Sequence, residues 1–242
     1  MRCLGSGVRG TVLLTVLAVA GLSSAGCSSS GDEDASSPAS EKPAASAPAA
    51  EGKAAGEKGL PGVPSAAKAR RALSELKVAP HGPMTGYSRA KFPHWSAQGD
   101  DCDTREKVLA RSGTDVERDA ECRAVSGNWT SLYDGKKITD ASELDIDHMV
   151  PLANAWRSGA ARWTQHRRED FANDLGHPQL LAVTASANRA KGDQGPEEWQ
   201  PPAKDSWCTY ARAWTSVKAA YRLTVTSAEK SALGTMLESC DR

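Results

Sequence analysis

The stretch Glu143-Leu-Asp-Ile-Asp-His-Met-Val-Pro-Leu152 carries the clearest signal in this chain. It alternates apolar and polar residues, as strands do, and reaches the pair Asp147-His148 before a proline closes it. Further along, Ser186-Ala-Asn-Arg-Ala-Lys-Gly-Asp193 follows the apolar run of residues 180–183. These segments predict two short strands followed by a short helix.

A carboxylate beside a histidine at a strand end suits metal-assisted hydrolysis. The Asp147 carboxylate can hold a divalent cation while the His148 imidazole removes a proton from water. Asn188, delivered by the following helix, can supply a second oxygen ligand. Hard oxygen ligands favour Mg²⁺ or Mn²⁺, whereas an added imidazole would admit Zn²⁺. The predicted cofactor is therefore a divalent metal, Mg²⁺ or Mn²⁺, with Zn²⁺ also compatible.

Residues 1–26 are predicted to be a lipoprotein-type signal peptide. A positively charged start precedes the apolar run of residues 11–22, which is too short to span a bilayer as a mature helix. Ser24-Ala-Gly-Cys27 resembles the motif at which bacteria attach lipid to a cysteine, although Leu is usual where Ser24 stands. Cys27 is the predicted lipidation site. The alternative is an ordinary signal peptide cleaved nearby, with Cys27 incidental.

Residues 27–64 are rich in Ala, Ser, Pro and Gly and contain no aromatic residue. Such a segment cannot bury enough apolar surface to offset its chain entropy, so a disordered linker is predicted. Residues 65–242 have the size of one domain and contain all seven tryptophans. The formal net charge is +0, so no global field attracts a polyanion, and basic residues are clustered only locally.

The chain has six cysteines, of which Cys3 lies in the signal segment. With Cys27 set aside for lipid, an even number remains, and in an exported domain this predicts two disulfides with three possible connectivities. We expect Cys102 to pair with Cys122 and Cys208 with Cys240, because each pair brackets one local unit. Cys-x-x-Cys spacing does not occur, which argues against a zinc-thiolate site.

Local patterns predict a mixture of helices and strands in this domain. Helix-like segments cover residues 65–78, 103–112, 153–161, 164–173, 186–191 and 205–223, and a last helix opens at Thr226 or Ser227. Strand-like segments cover residues 124–133, 138–140, 144–149 and 180–183.

This order of strand with Asp-His, strand, and helix with Asn resembles the HNH, or ββα-metal, nuclease superfamily. It is closer still to exported HNH-family proteins related to the C-terminal nuclease domain of GmrSD-type restriction enzymes. The matching segments are Asp145-Ile-Asp-His-Met-Val-Pro-Leu152, Trp156, Ser158-Gly159, Phe171-Ala-Asn-Asp-Leu175, Pro178-Gln-Leu-Leu-Ala-Val183, Asn188-Arg-Ala-Lys-Gly-Asp193 and Pro196-Glu-Glu-Trp199. The fold class implied is α+β, a small ββα-metal core embedded among helices and stabilised by two disulfides.

The resemblance implies a role for each matching site residue. His148 would be the general base, Asp147 would hold the divalent metal, and Asn188 would complete the metal site. The position that usually carries an Asn or His to orient the base holds Gln179 here. Gln179 could act through its amide oxygen, or a backbone carbonyl could fix the imidazole instead. Asp145 is either a supporting carboxylate or a further ligand.

Three basic residues are predicted nucleic-acid contacts. Arg105, Arg189 and Lys191 could each hold a phosphate that flanks the scissile bond. The alternative for Arg105 is an ordinary salt bridge, and the alternative for Arg189 and Lys191 is a solvated helix face.

The function implied is metal-dependent phosphodiester hydrolysis by an HNH-family endonuclease, with DNA favoured as substrate and low sequence specificity. The alternative is a non-catalytic surface module that keeps the fold and binds nucleic acid or another partner, which the unusual Gln179 favours. Export is expected in both cases, to the extracytoplasmic face of the cell membrane through a lipid anchor or as a secreted protein. The sequence indicates no obligate protein partner.

Overall fold

The computed structural model describes residues 59–241. The predicted signal peptide, the lipidation site Cys27 and most of the predicted linker lie outside the described residues. Residues 59–64, which were assigned to the linker, belong to the packed domain, since Leu60 is buried in its core. None of the helices between residues 59 and 241 has the length and apolar character needed to cross a membrane.

The described part of the chain is an α+β structure, as the sequence predicts. Its helices are α1 (Ala66–Glu75), α2 (Thr104–Ser112), α3 (Leu152–Arg157), α4 (Gln165–Ala172), α5 (Ala185–Lys191), α6 (Trp207–Tyr221) and α7 (Ser227–Glu238). Its strands are β1 (Thr114–Arg118), β2 (Ala124–Thr130), β3 (Lys137–Asp140), β4 (Leu144–His148) and β5 (Leu180–Thr184). Short 3-10 turns cover Arg89–Lys91, Ala141–Glu143, Ala160–Arg162, Lys204–Ser206 and Ser239–Asp241.

The strands form two antiparallel sheets. One sheet has the order β1-β2-β3, and the other consists of β4 and β5. In the second sheet His148 lies opposite Leu180 and Leu144 opposite Thr184. The Thr184 hydroxyl accepts a hydrogen bond from the backbone N–H of Ala187, so α5 begins directly where β5 ends. The chain therefore forms strand, strand and helix around the predicted site.

The core has two parts. The larger part lies among the helices, where α1, α6 and α7 pack on one another and Tyr210 and Trp214 of α6 are fully buried. The smaller part lies beneath the strands and includes Trp129 and Ile146. A buried ion pair of 2.9 Å joins Lys218 of α6 to Glu229 of α7.

Two disulfides close the domain at its edges, with the predicted pairing. Cys102 at the start of α2 bonds to Cys122 before β2, and Cys208 of α6 bonds to Cys240 after α7.

Two local predictions differ from the structure. The predicted helix over residues 153–161 ends at Arg157, because Gly159 has a φ of 135°, which a continuous helix cannot contain. Strand β1 was not predicted, because its Thr-Asp-Val-Glu-Arg sequence lacks an apolar face and all five positions are exposed or half-buried.

Candidate active site

His148 is the last residue of β4 and is only 3% exposed. Its Nε2 lies 2.9 Å from the carbonyl oxygen of Ala172. Because a carbonyl oxygen can only accept, Nε2 carries the ring proton and Nδ1 is the nitrogen left to take up another. Burial is the main cause that lowers the pKa of His148 to about 3, and the bond to Ala172 opposes it. The ring is therefore neutral at pH 7.

Aromatic rings cover the imidazole. Trp95 stacks on His148 with ring centroids 5.9 Å apart and an interplanar angle of 22°. The His94 ring stands edge-on, with its centroid 6.4 Å from that of His148. Trp95 has a left-handed φ of 62°, which is uncommon for a bulky residue and requires support from its surroundings. We refer to residues 92–96 as the covering segment.

Asn173 holds the covering segment in place. Its Oδ1 accepts hydrogen bonds from the Ser96 backbone N–H at 2.9 Å and from the Thr104 hydroxyl at 2.8 Å. Its Nδ2 donates to the Pro93 carbonyl at 2.9 Å. Asn173 directly follows Ala172, so the C-terminal end of α4 fixes both the His148 ring and the segment above it. The sequence marks Asn173 only as a member of the matching segment Phe171–Leu175, because its partners in the covering segment and α2 are 69 to 80 positions away.

Gln179 fixes the turn that follows His148. Its Oε1 accepts from the Val150 backbone N–H at 3.1 Å, and its Nε2 donates to the Val150 carbonyl at 3.0 Å. The Met149 N–H donates to the Gln179 carbonyl at 2.7 Å. The imidazole itself is oriented by the Ala172 carbonyl. Of the two alternatives from the sequence, the Gln179 amide oxygen and a backbone carbonyl, the structure has the backbone carbonyl.

Asp147 forms a buried ion pair. Side chains alternate along a strand, so Asp147 points to the opposite face of β4 from His148. Its Oδ2 accepts from the Lys191 ammonium at 2.7 Å and from the Tyr133 hydroxyl at 2.6 Å. Lys191 is fully buried and also donates to the His148 carbonyl at 2.9 Å. Burial lowers the pKa of Lys191, and the charge of Asp147 opposes that effect.

Asn188 contacts Asp145, two residues before Asp147 on the same face of β4. The Asn188 Nδ2 donates to the Asp145 Oδ2 at 3.0 Å. The predicted ligand pair is thus divided between two neighbouring contacts, Asn188 with Asp145 and Asp147 with Lys191.

This face of β4 carries the side chains that could hold one hard divalent cation. It provides two carboxylates and one amide oxygen, which are the ligands that Mg²⁺ and Mn²⁺ prefer. Asp145 and Asn188 would hold the cation, and Asp147 could join them by releasing Lys191. Between residues 59 and 241 no group of three or more His, Cys, Asp or Glu side chains is placed to hold a metal.

The three predicted nucleic-acid contacts have different positions. The Arg105 guanidinium donates to the carbonyls of Leu144 and Ala141, each at 3.2 Å. It therefore stabilises the start of β4 and is not directed at solvent, where a phosphate would bind. Lys191 lies inside the protein, which corrects its prediction as a phosphate contact. Arg189 alone is exposed, on α5 beside Asn188.

The amino-acid sequence is similar to that of a known protein over most of the chain. It is 59% identical over 180 residues to a protein of Arthroderma benhamiae described as an uncharacterized secreted protein, and the match covers 74% of this chain and 88% of that protein. No solved structure matches the chain.

The family of the GmrSD restriction endonuclease C-terminal domain matches residues 101–236. This match includes β4, β5 and α5, and therefore His148, Gln179 and Asn188 together with the α4 end that orients the imidazole. The residues on which the sequence prediction rested are thus within the matched region, and they are assembled around one strand in the structure. The chain belongs to the family of the C-terminal domain of GmrSD restriction endonucleases.

Proposed function

We propose that this chain is a metal-dependent endonuclease that hydrolyses phosphodiester bonds in nucleic acid, with DNA favoured and little sequence specificity. The observation that carries the proposal is the fixed tautomer of His148. A neutral imidazole with its Nε2 hydrogen bonded to Ala172 presents Nδ1 as a base. The family to which the chain belongs supports a nuclease-type domain.

In this mechanism Nδ1 of His148 removes a proton from the attacking water. The Ala172 carbonyl accepts the Nε2 hydrogen bond throughout, which stabilises the imidazolium that forms. Gln179 keeps the turn after His148 fixed, so the ring stays aligned with the phosphate. Asp145 and Asn188, with Asp147 as further ligand, would hold a divalent cation on the face of β4 opposite to the imidazole. The cation would supply positive charge to a phosphate that lies across the end of β4 and so reaches both faces of the strand.

The covering segment must shift for a phosphodiester to reach Nδ1, because Trp95 and His94 shield the ring. Burial is the main cause of the low pKa of His148, so the same shift moves that pKa back toward its ordinary value of 6.5. A base with a pKa closer to neutral pH is more effective at neutral pH. Displacement of the Trp95 and His94 rings therefore both admits substrate and strengthens the base, while the hydrogen bonds of Asn173 to Pro93 and Ser96 keep the backbone of the segment in place.

Plasmid cleavage by the purified protein tests the proposal, with Mg²⁺ or Mn²⁺ and with EDTA. His148→Ala should lower the cleavage rate by about 10²-fold to 10⁴-fold, the usual loss for a general base. His166→Ala is the matched control, because His166 is exposed and, within residues 59–241, bonds to Asp170 on its own helix and to no other side chain. A rate equal to wild type in His148→Ala would remove the catalytic assignment, and cleavage that EDTA does not reduce would remove the metal requirement.

A non-catalytic binding module is the second candidate. The burial of His148 and the occupation of Asp147 by Lys191 favour it. It becomes the better description if wild-type protein cleaves neither DNA nor RNA with any divalent ion, yet binds a DNA duplex.

We further propose that the protein is exported and anchored through lipid on Cys27. The signal-like residues 1–26, the disulfides and the secreted relative support export. Two or three acyl chains on the N-terminal cysteine would hold the protein stably at a membrane. Cell fractionation of wild type and Cys27→Ala tests the anchor: the variant should leave the membrane fraction, and an equal distribution of the two proteins would contradict lipidation.

A further inference from the structure

Hydrolysis of a phosphodiester moves two protons. One leaves the attacking water, and Nδ1 of His148 can take it up. The other must reach the oxygen that leaves phosphorus, because the alkoxide form of a sugar hydroxyl is a strong base and a poor leaving group. A second proton-transfer group beside His148 would therefore complete the reaction.

His94 is a neighbour of His148 in the same site. The two ring centroids are 6.4 Å apart, and the rings meet edge-on at an interplanar angle of 83°. The His94 ring also meets Trp95 edge-on, with centroids 5.2 Å apart. His94 is half-buried, whereas His148 is almost fully covered. A second imidazole thus stands in contact with the proposed base, at the more open side of the site.

Both imidazoles have one nitrogen held by a backbone carbonyl. Nδ1 of His94 lies 2.8 Å from the Phe92 carbonyl oxygen, and Nε2 of His148 lies 2.9 Å from that of Ala172. Since a carbonyl oxygen only accepts, each of these nitrogens carries a hydrogen. The other nitrogen of each ring has no hydrogen-bond partner within residues 59–241, and neither is among the buried polar atoms that lack a partner. Each ring therefore has one nitrogen at solvent that can exchange a proton.

The backbone that carries His94 is fixed on both sides. Phe92 is fully buried in the larger part of the core. Asn173 donates to the Pro93 carbonyl at 2.9 Å and accepts from the Ser96 N–H at 2.9 Å. When the His94 ring turns aside to admit a phosphate, its backbone therefore stays in place, and the ring remains within one side-chain length of the base.

We propose that His94 is the general acid of the reaction and gives a proton to the oxygen that leaves. The proposal rests on the proposed nuclease function and adds a second catalytic residue to it. Nε2 of the His94 imidazolium loses its proton to the leaving oxygen as the bond from that oxygen to phosphorus breaks. Nδ1 of His148 takes a proton from the water whose oxygen bonds to phosphorus. One ring loses a proton and the other gains one, so exchange with solvent restores both.

The leaving group distinguishes a general acid from other roles. Plasmid DNA releases an alcohol, whose oxygen must be protonated, whereas the nitrophenyl ester of thymidine monophosphate releases nitrophenolate, which is stable as an anion. His94→Gln should lower kcat for plasmid cleavage by about 10²-fold and leave kcat for the ester near the wild-type value. His148→Ala should lower both, because both reactions need an activated water. The exposed His166→Gln on α4 is the matched control and should lower neither.

The two substrates are compared on one preparation of each variant, so a folding defect lowers both rates by the same factor. Because kcat is measured at saturating substrate, weaker binding of DNA does not enter the comparison. Equal losses on the two substrates in His94→Gln, or no loss on either, would defeat the role of His94 and leave the nuclease proposal standing. Wild-type protein that hydrolyses neither substrate would defeat the nuclease proposal and the role of His94 together.

Discussion

The two nitrogens of the His148 ring have different surroundings. Nε2 donates a hydrogen bond to the Ala172 carbonyl inside the protein. Nδ1 is the nitrogen that can accept a proton, and the ring to which it belongs is stacked against Trp95. The sequence pointed to His148 through its neighbour Asp147 and its place at a strand end. It could not identify the acceptor, because Ala172 lies 24 positions away and contributes only a backbone atom.

Burial of a neutral histidine makes stability depend on pH. The pKa of His148 is about 3 in the folded protein and 6.5 in the unfolded chain, so between these values the unfolded state binds more protons. The unfolding free energy should therefore fall as the pH falls, by about 2 kcal/mol from this residue between pH 7.5 and pH 5. Urea unfolding in EDTA buffer should show this loss in wild type and not in His148→Gln. Parallel pH profiles for the two proteins would contradict it.

Lys191 and Asp147 form a buried ion pair, and removal of either charge alone should lower the unfolding free energy. Lys191→Met would leave the Asp147 carboxylate buried with Tyr133 as its remaining hydrogen-bond donor. We expect this variant to lose about 3 to 5 kcal/mol of unfolding free energy. The double variant Lys191→Met/Asp147→Leu should recover much of that loss, because both charges are then absent. Additive losses in urea unfolding would show that the pair is not coupled.

At the scale of elements, β4, β5 and α5 were foreseeable because each has a local signature. Alternation marks β4, an apolar run marks β5, and Gly192 ends α5 with a φ of 55°. The support around them was not foreseeable. The covering segment has no periodicity, and it takes its conformation from contacts with the end of α4 and with Thr104 of α2.

Asn173 should couple the end of α4 to activity. Asn173→Ala removes three hydrogen bonds to the covering segment and α2, so residues 92–96 should become mobile and the His148 ring less well aligned. We expect cleavage to fall about 10-fold and the Ser96 amide to lose protection from hydrogen exchange. The exposed Asn128→Ala is the control and should change neither. Unchanged exchange at Ser96 in Asn173→Ala would disprove the coupling.

At the scale of the whole molecule, the α+β class and the cysteine pairing followed from the sequence. Each cysteine pair encloses one compact unit, and a chain with an even number of exported cysteines favours such pairing. The predicted domain start at residue 65 leaves out Leu60 and Val63, because two apolar residues among glycines and prolines form no periodic pattern and only the folded core shows where they pack.

The Cys208–Cys240 disulfide should stabilise the packing of α6 against the C-terminal turn. It closes a loop with a sequence separation of 32. In the chain-entropy description such a bond contributes about 3 kcal/mol, so Cys208→Ser/Cys240→Ser should unfold at a correspondingly lower urea concentration. Cleavage under native conditions should be retained, because neither cysteine lies in the site. An unchanged midpoint would mean that the bond adds no net stability.

The other disulfide has a consequence for the cell that makes the protein. Cys102 lies at the start of α2, between the covering segment and Thr104, so its bond to Cys122 fastens the support of the covering segment. Thiols stay reduced in the cytosol and oxidise outside it. A chain retained in the cytosol, where the chromosome lies, would therefore lack the Cys102–Cys122 bond and its support of the covering segment. In the proposed nuclease, the support of His148 is therefore complete only after export, away from the chromosome of the producing cell.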